Sequence, residues 1–222
     1  MKEYIKESVL KAESINRQYY IHSIPIKVVH EFSKHINLGS VVKQIETLVP
    51  VRLLRNVDVV YVAHIKDFIR GARSFNAMYK DGAIYISPEQ DNEQDLLDDI
   101  IHEIAHSLEN EYQDYIYGDD SLEREFLSKR SMLYHMVDTP TFPKAVWYDP
   151  QYSAIFDDHI FNDIGYDKLR IISAELFYSP YAITSLREYW ANGFESYLLG
   201  DKQRLKDISP ALYNKIVELF EH

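Results

Sequence analysis

The stretch from Leu96 to Leu108 constrains this chain more than any other. Leu96, Leu97, Ile100, Ile101, Ile104 and Leu108 recur at helical spacing and make one apolar face of an α-helix. Inside that helix, residues 102–106 read His-Glu-Ile-Ala-His. Positions i and i+4 share a side of a helix, so His102 and His106 can offer two imidazole nitrogens to one metal ion. At about 100° per residue, both point nearly opposite the centre of the apolar face, and a core role fits them badly. Glu103 falls one step round the helix, beside the metal rather than on it. There it can take a proton from a metal-bound water. The plain alternative is a pair of surface histidines.

A catalytic zinc takes three protein ligands and keeps one position open. Glu109 and Tyr112 stand where the metzincin pattern needs Gly and His, which disfavours that class. Glu109, His135, Asp157, Asp158 and His159 remain as third-ligand candidates. A stronger one lies in the segment from Tyr181 to Tyr197. Within it, Ser185-Leu-Arg-Glu188 also fits a capping box, which gives Glu188 a purely structural reading. Glu195, two turns on along the same face, is the next ligand candidate. Glu109, Asp99 and Glu195 are the candidate carboxylates for orienting the imidazoles.

The run Glu188-Tyr-Trp-Ala191-Asn-Gly-Phe194, with Tyr181 upstream, resembles the second zinc helix of the anthrax lethal factor-like metallopeptidases. That group includes the clostridial Pro-Pro endopeptidases. The likeness extends to Asp81-Gly-Ala-Ile-Tyr-Ile-Ser87, a strand leading into the first zinc helix, and spans residues 57–112 and 178–200. It implies a gluzincin-type zincin with one Zn2+ per chain on His102, His106 and Glu188. It also implies Glu103 as the base and Tyr181 facing the scissile carbonyl. The implied activity is zinc-dependent endopeptidase cleavage of a protein or peptide substrate. The alternative is a catalytically silent zincin-fold structural or binding protein, such as a virion component, which needs no base at position 103. The stretch between the two zinc helices is longer than in the family, and the first fifty residues match nothing in it. Similar proteins of bacteria and tailed phages are closer in character than the secreted peptidases, because the N-terminus lacks a signal-peptide apolar core.

The chain's 222 residues suit a single zincin-like catalytic domain over 1–222, with 1–50 as a helical appendage and 113–178 as a helical insertion. A net charge of −11 argues against nucleic acid and against an anionic membrane surface. Acidic residues gather at 89–99 and 109–124. They read as a solvated face or as a preference for basic or neutral substrates. Cysteine is absent, which excludes a disulfide framework and thiolate ligands. No stretch approaches a membrane span, so a cytoplasmic location is expected, with virion association or non-classical export as alternatives. No oligomeric state is implied.

The expected order is α+β: a small twisted mixed sheet, the helix carrying His102 and His106, then a C-terminal helical lobe. A helix is expected over 3–20 and a β-rich segment over Ile24–His30. A helix over Ser40–Leu48 is capped by Ser40, and a strand covers Val57–Ala63. Phe75–Lys80 and Ala83–Ser87 flank Asp81-Gly82, a type I′ hairpin signal. Ser87-Pro88 is the expected start of the first zinc helix. Residues 120–178 read as mostly helical, Ser185–Leu199 as the second zinc helix ended by Gly200, and Pro210–Phe220 as the last helix. Phe75–Lys80 is either an edge that receives a peptide strand or an ordinary hairpin partner.

Overall fold

A computed structural model describes residues 19–33, 35–64, 69–70, 73–137 and 142–221. The helix expected over 3–20 lies outside them except at its end, where Tyr19 and Tyr20 belong to a strand instead. The chain is α+β, with a small mixed five-stranded sheet and mostly helical content elsewhere. It divides into two compact units, Met1–Glu111 and Tyr112–His222. No helix among the described residues is long and apolar enough to cross a membrane.

In the first unit the strands are β1 (Tyr19–Ile21), β2 (Ile24–Val28), β3 (Val59–Val62), β4 (Ile69–Arg70), β5 (Arg73–Ser74), β6 (Ala77–Lys80) and β7 (Ala83–Ile86). The main sheet runs β1-β2-β3-β7-β6, and β4 pairs with β5 in a separate two-stranded sheet. The β2–β3 and β3–β7 pairs are parallel, and the outer pairs are antiparallel. A parallel neighbour needs a long crossover. The β2–β3 crossover contains helix α1 (Leu38–Leu48), which buries Leu38, Val41, Val42 and Ile45 at i, i+3, i+4, i+7 spacing. Its N-cap is Asn37, whose side chain accepts from the Ser40 amide at 3.2 Å, so Ser40 is inside the helix rather than its cap. The β6–β7 turn has φ of 50° at Asp81 and 80° at Gly82. Two positive φ values in succession are what a type I′ turn needs, and the residue pair supplies them.

Helix α2 (Glu93–Tyr117) follows β7 and is interrupted at Tyr112, where the division between the units falls. It starts later than the Ser87-Pro88 signal suggests. Asn92 caps it, accepting from the amides of Gln94 (2.8 Å) and Asp95 (3.0 Å). Glu93 and Asp95 then sit in the first turn, where the helix dipole favours negative charge. Ser87 instead accepts from the Glu89 amide in the preceding loop. All six residues of the expected apolar face are buried.

The second unit contains α3 (Ser121–Met136), α4 (Lys144–Trp147), α5 (Ala154–Asp158), a π-helical segment His159–Gly165, α6 (Tyr166–Ile172), α7 (Leu186–Leu199), α8 (Lys202–Ile208) and α9 (Pro210–Glu221). Ser185 and Gly200 bound α7 as the sequence suggests. Its core is aromatic, with Phe126, Trp147, Phe156, Phe177, Tyr189, Trp190 and Phe194 all but inaccessible. Arg130 lies among them. Its guanidinium donates to the carbonyls of Val146 (2.6 Å) and Asp149 (2.7 Å) and rests on the Phe156 ring.

Gly193 is packed tightly against Leu212 of α9. A Cβ there would lie 2.2 Å from Leu212 Cδ2, and Leu212 is itself buried. Alanine is favoured over glycine inside a helix by about 1 kcal/mol. Overpacking a filled core costs about 1–3 kcal/mol and here outweighs that gain. Gly193→Ala is therefore expected to be destabilising in a denaturant titration, against its helix propensity.

Candidate metal centre

His102 and His106 sit one turn apart on α2, with ring centroids 4.9 Å apart and planes at 78°. The helix is not open to water on this side. Glu103, His106 and Glu109 are each less than a tenth exposed, and His102 is half-buried. Polar groups at that depth need partners. The Glu103 carboxylate accepts the backbone N–H of Tyr79 at 2.5 Å. Strand geometry explains why that amide is available. The two-residue turn makes Lys80 and Ala83 the first hydrogen-bonded pair, so the Tyr79 amide, opposite Ile84, faces away from β7. β6 ends the sheet order, and its outward Tyr79 amide meets Glu103 of helix α2 rather than another strand.

Side chains hold β6 and α2 together around that contact. The Tyr79 hydroxyl donates to the Asn56 carbonyl (3.0 Å) and accepts from Asn110 Nδ2 (3.3 Å). Asn56 Nδ2 donates in turn to the Ser107 carbonyl (3.2 Å). Glu109 Oε2 lies 3.7 Å from His106 Nδ1, where a carboxylate can orient the ring. Asp99 accepts from Gln90 Nε2 at 3.0 Å. Neither Tyr79 nor Asn56 is marked by any motif. Their positions in a hairpin and in the loop before β3 become meaningful only once the strands are paired.

In α7, Ser185 Oγ accepts the Glu188 amide at 3.2 Å, which is the serine half of the capping box. The Glu188 carboxylate also belongs to a group of possible metal ligands. One ligand atom from each of His102, His106 and Glu188 lies within 4.8 Å of the other two, and the set can hold a metal ion. Among the described residues this is the one such group of three. The chain matches no family model, no curated protein and no solved structure. The site therefore stands on its own geometry.

The other third-ligand candidates do not join that group. Asp157 accepts from the Tyr152 hydroxyl, and Asp158 accepts from Asn162. His159 Nδ1 pairs with Asp163 at 2.7 Å, and its ring stacks on Phe142 at 3.8 Å. His135 lies in the last turn of α3, against Tyr134. Glu195 is half-buried in α7. Tyr181 opens a 3-10 turn, Tyr181–Ile183, immediately before α7. Its carbonyl accepts from both the amide (3.1 Å) and hydroxyl (2.9 Å) of Thr184, and its side chain is half-buried.

Proposed function

We propose that this chain is a zinc-dependent endopeptidase of zincin type, similar to the lethal factor-like metallopeptidases. The observation that carries the reading is the His102, His106 and Glu188 trio, with ligand atoms within 4.8 Å of one another. Its chemistry fits zinc, because two imidazoles and one carboxylate, with no thiolate, are a known catalytic donor set that leaves a fourth position open. Zinc bound there supplies a Lewis acid that acidifies water and polarises a carbonyl.

The chain's own groups then have defined tasks. Glu103 accepts the proton of the attacking water and returns it to the leaving amine. The Tyr79 amide fixes the Glu103 carboxylate, so the base is oriented before substrate arrives. Glu109 stands beside the ring nitrogen of His106. Tyr181 donates its hydroxyl to the oxyanion of the tetrahedral intermediate. The substrate is a peptide that runs along the outer edge of β6, where any strand addition must accommodate a Tyr79 amide already engaged by Glu103. A purely structural metal site needs no base, and the presence of a carboxylate at position 103 between the two histidines supports the enzyme over the silent alternative.

Digestion of a peptide library tests the proposal. Zinc-loaded protein is expected to cleave a subset of peptides, to stop after chelation and to recover when zinc is returned. Failure to cleave any peptide with zinc bound would leave the silent reading in its place.

A further inference from the structure

Three helices of the second unit meet in a buried polar cluster next to Glu188. Tyr189, the following residue on α7, is 2 % exposed, and its hydroxyl donates to Glu125 Oε1 at 2.7 Å. The Tyr189 hydroxyl oxygen accepts in turn from Lys129 Nζ at 2.5 Å. Lys129 is also buried and donates to Ser209 Oγ at 2.6 Å. The Glu125 carboxylate accepts the amides of Ala211 (2.8 Å) and Leu212 (3.2 Å), the first turn of α9. Glu125 and Lys129 are one turn apart on α3, with Lys129 Nζ 4.0 Å from Glu125 Oε1. The Lys129 ammonium lies over the Tyr189 ring as well. A single phenol thus ties α7 to α3 directly and to α9 through two intermediaries.

Such a cluster is a poor way to gain stability. Burying charges costs several kcal/mol per ion, and well-packed apolar residues of similar volume are often as stable or more so. Burial pushes the Lys129 ammonium down to about 8, against the pull of Glu125, which registers that cost. The gain from a fully bonded polar cluster is a single allowed arrangement. Aromatic packing alone lets a helix slide or rotate slightly, whereas a hydroxyl bonded on two sides fixes both its height and its rotation. Glu188 is one residue away, so its direction follows from where Tyr189 is pinned. Metal ligands need placement within about 0.5 Å and 10–20°.

We infer that the Glu125–Lys129–Tyr189 cluster positions α7 so that Glu188 is presented to the metal. This rests on the proposed reading of Glu188 as the third ligand. The three are positioning residues, which act through Glu188 and touch neither metal nor substrate.

Zinc affinity, measured by competition with a chelator well below the melting temperature, tests this. Tyr189→Phe removes only the hydroxyl, leaving Lys129 bonded to Ser209 and Glu125 bonded to the α9 amides, so the fold is retained. The paired change Lys129→Met with Glu125→Gln is a second route that buries no lone charge. Each is expected to raise the zinc Kd by about 10–100-fold, the usual effect of losing an outer support. Glu188→Ala is expected to cost much less in the Tyr189→Phe background than in the native one, because the two changes remove the same interaction. Tyr115→Phe, which removes another phenol bonded in this unit to the Lys215 carbonyl, is the control and should leave Kd unchanged. If Glu188→Ala weakens zinc but Tyr189→Phe and the paired variant do not, this inference fails and the ligand assignment stands. If Glu188→Ala leaves Kd unchanged, the ligand assignment fails and this inference falls with it. Equal losses in Tyr115→Phe and Tyr189→Phe reduce the cluster to a general structural role and also overturn it.

Discussion

Glu103→Gln is expected to lower kcat for peptide hydrolysis by about 10²–10⁴-fold, the usual contribution of a general base, while zinc binding stays at the native level. The glutamine keeps the length and helix propensity of glutamate. Its amide oxygen can still accept the Tyr79 N–H, so the β6–α2 contact survives. What disappears is a group able to hold a proton. A loss confined to kcat and kcat/KM, with zinc content and melting temperature preserved, is the signature of an interaction needed only in the transition state. Equal activity in the variant would remove Glu103 from the mechanism. Steady-state kinetics on one cleaved library peptide decides the matter.

The second large effect is thermodynamic. A ligand that binds only the folded protein stabilises it, by about 2.7 kcal/mol at one hundred times its Kd. For a chain of this length that corresponds to a rise of about 5–11 °C in melting temperature. Native protein is expected to show such a rise on addition of zinc. His106→Ala is expected to show almost none, since it leaves His102 and Glu188 as the remaining pair of the trio. His106 is buried, so its removal also lowers the metal-free melting temperature. The comparison is therefore the zinc-induced shift within each variant. A full shift in His106→Ala would place the metal elsewhere.

The parts of this molecule legible in the sequence are those set by short-range physics. Helical periodicity marked the apolar face of α2, and Asp81-Gly82 marked its hairpin, because both signals are complete within a few residues. Ser185 and Gly200 bounded α7 for the same reason. Two caps were misplaced where a competitor lay close by. Asn37 precedes Ser40, and Asn92 follows Ser87; each competing asparagine supplies a comparable side-chain oxygen. The strand at Tyr19 was missed because its pairing with β2 is a tertiary event.

At the site, His102, Glu103 and His106 were visible as a local pattern. Glu188 was singled out by resemblance, since no spacing rule connects residues so far apart. The Tyr79 amide was invisible in principle, because a backbone donor leaves no mark in sequence. The Lys129 cluster did leave one. Lys129 falls on the face of α3 that buries Leu122, Phe126 and Leu133, and a lysine in that series signals a buried, partnered charge.

Zinc-edge X-ray absorption on zinc-loaded protein reports the donors themselves and so decides the ligand set. One zinc per chain is expected, with two imidazoles and light-atom distances of about 2.0–2.2 Å, and with loss of an oxygen donor in Glu188→Ala. A protein that retains no zinc, or a spectrum unchanged by both His106→Ala and Glu188→Ala, would contradict it.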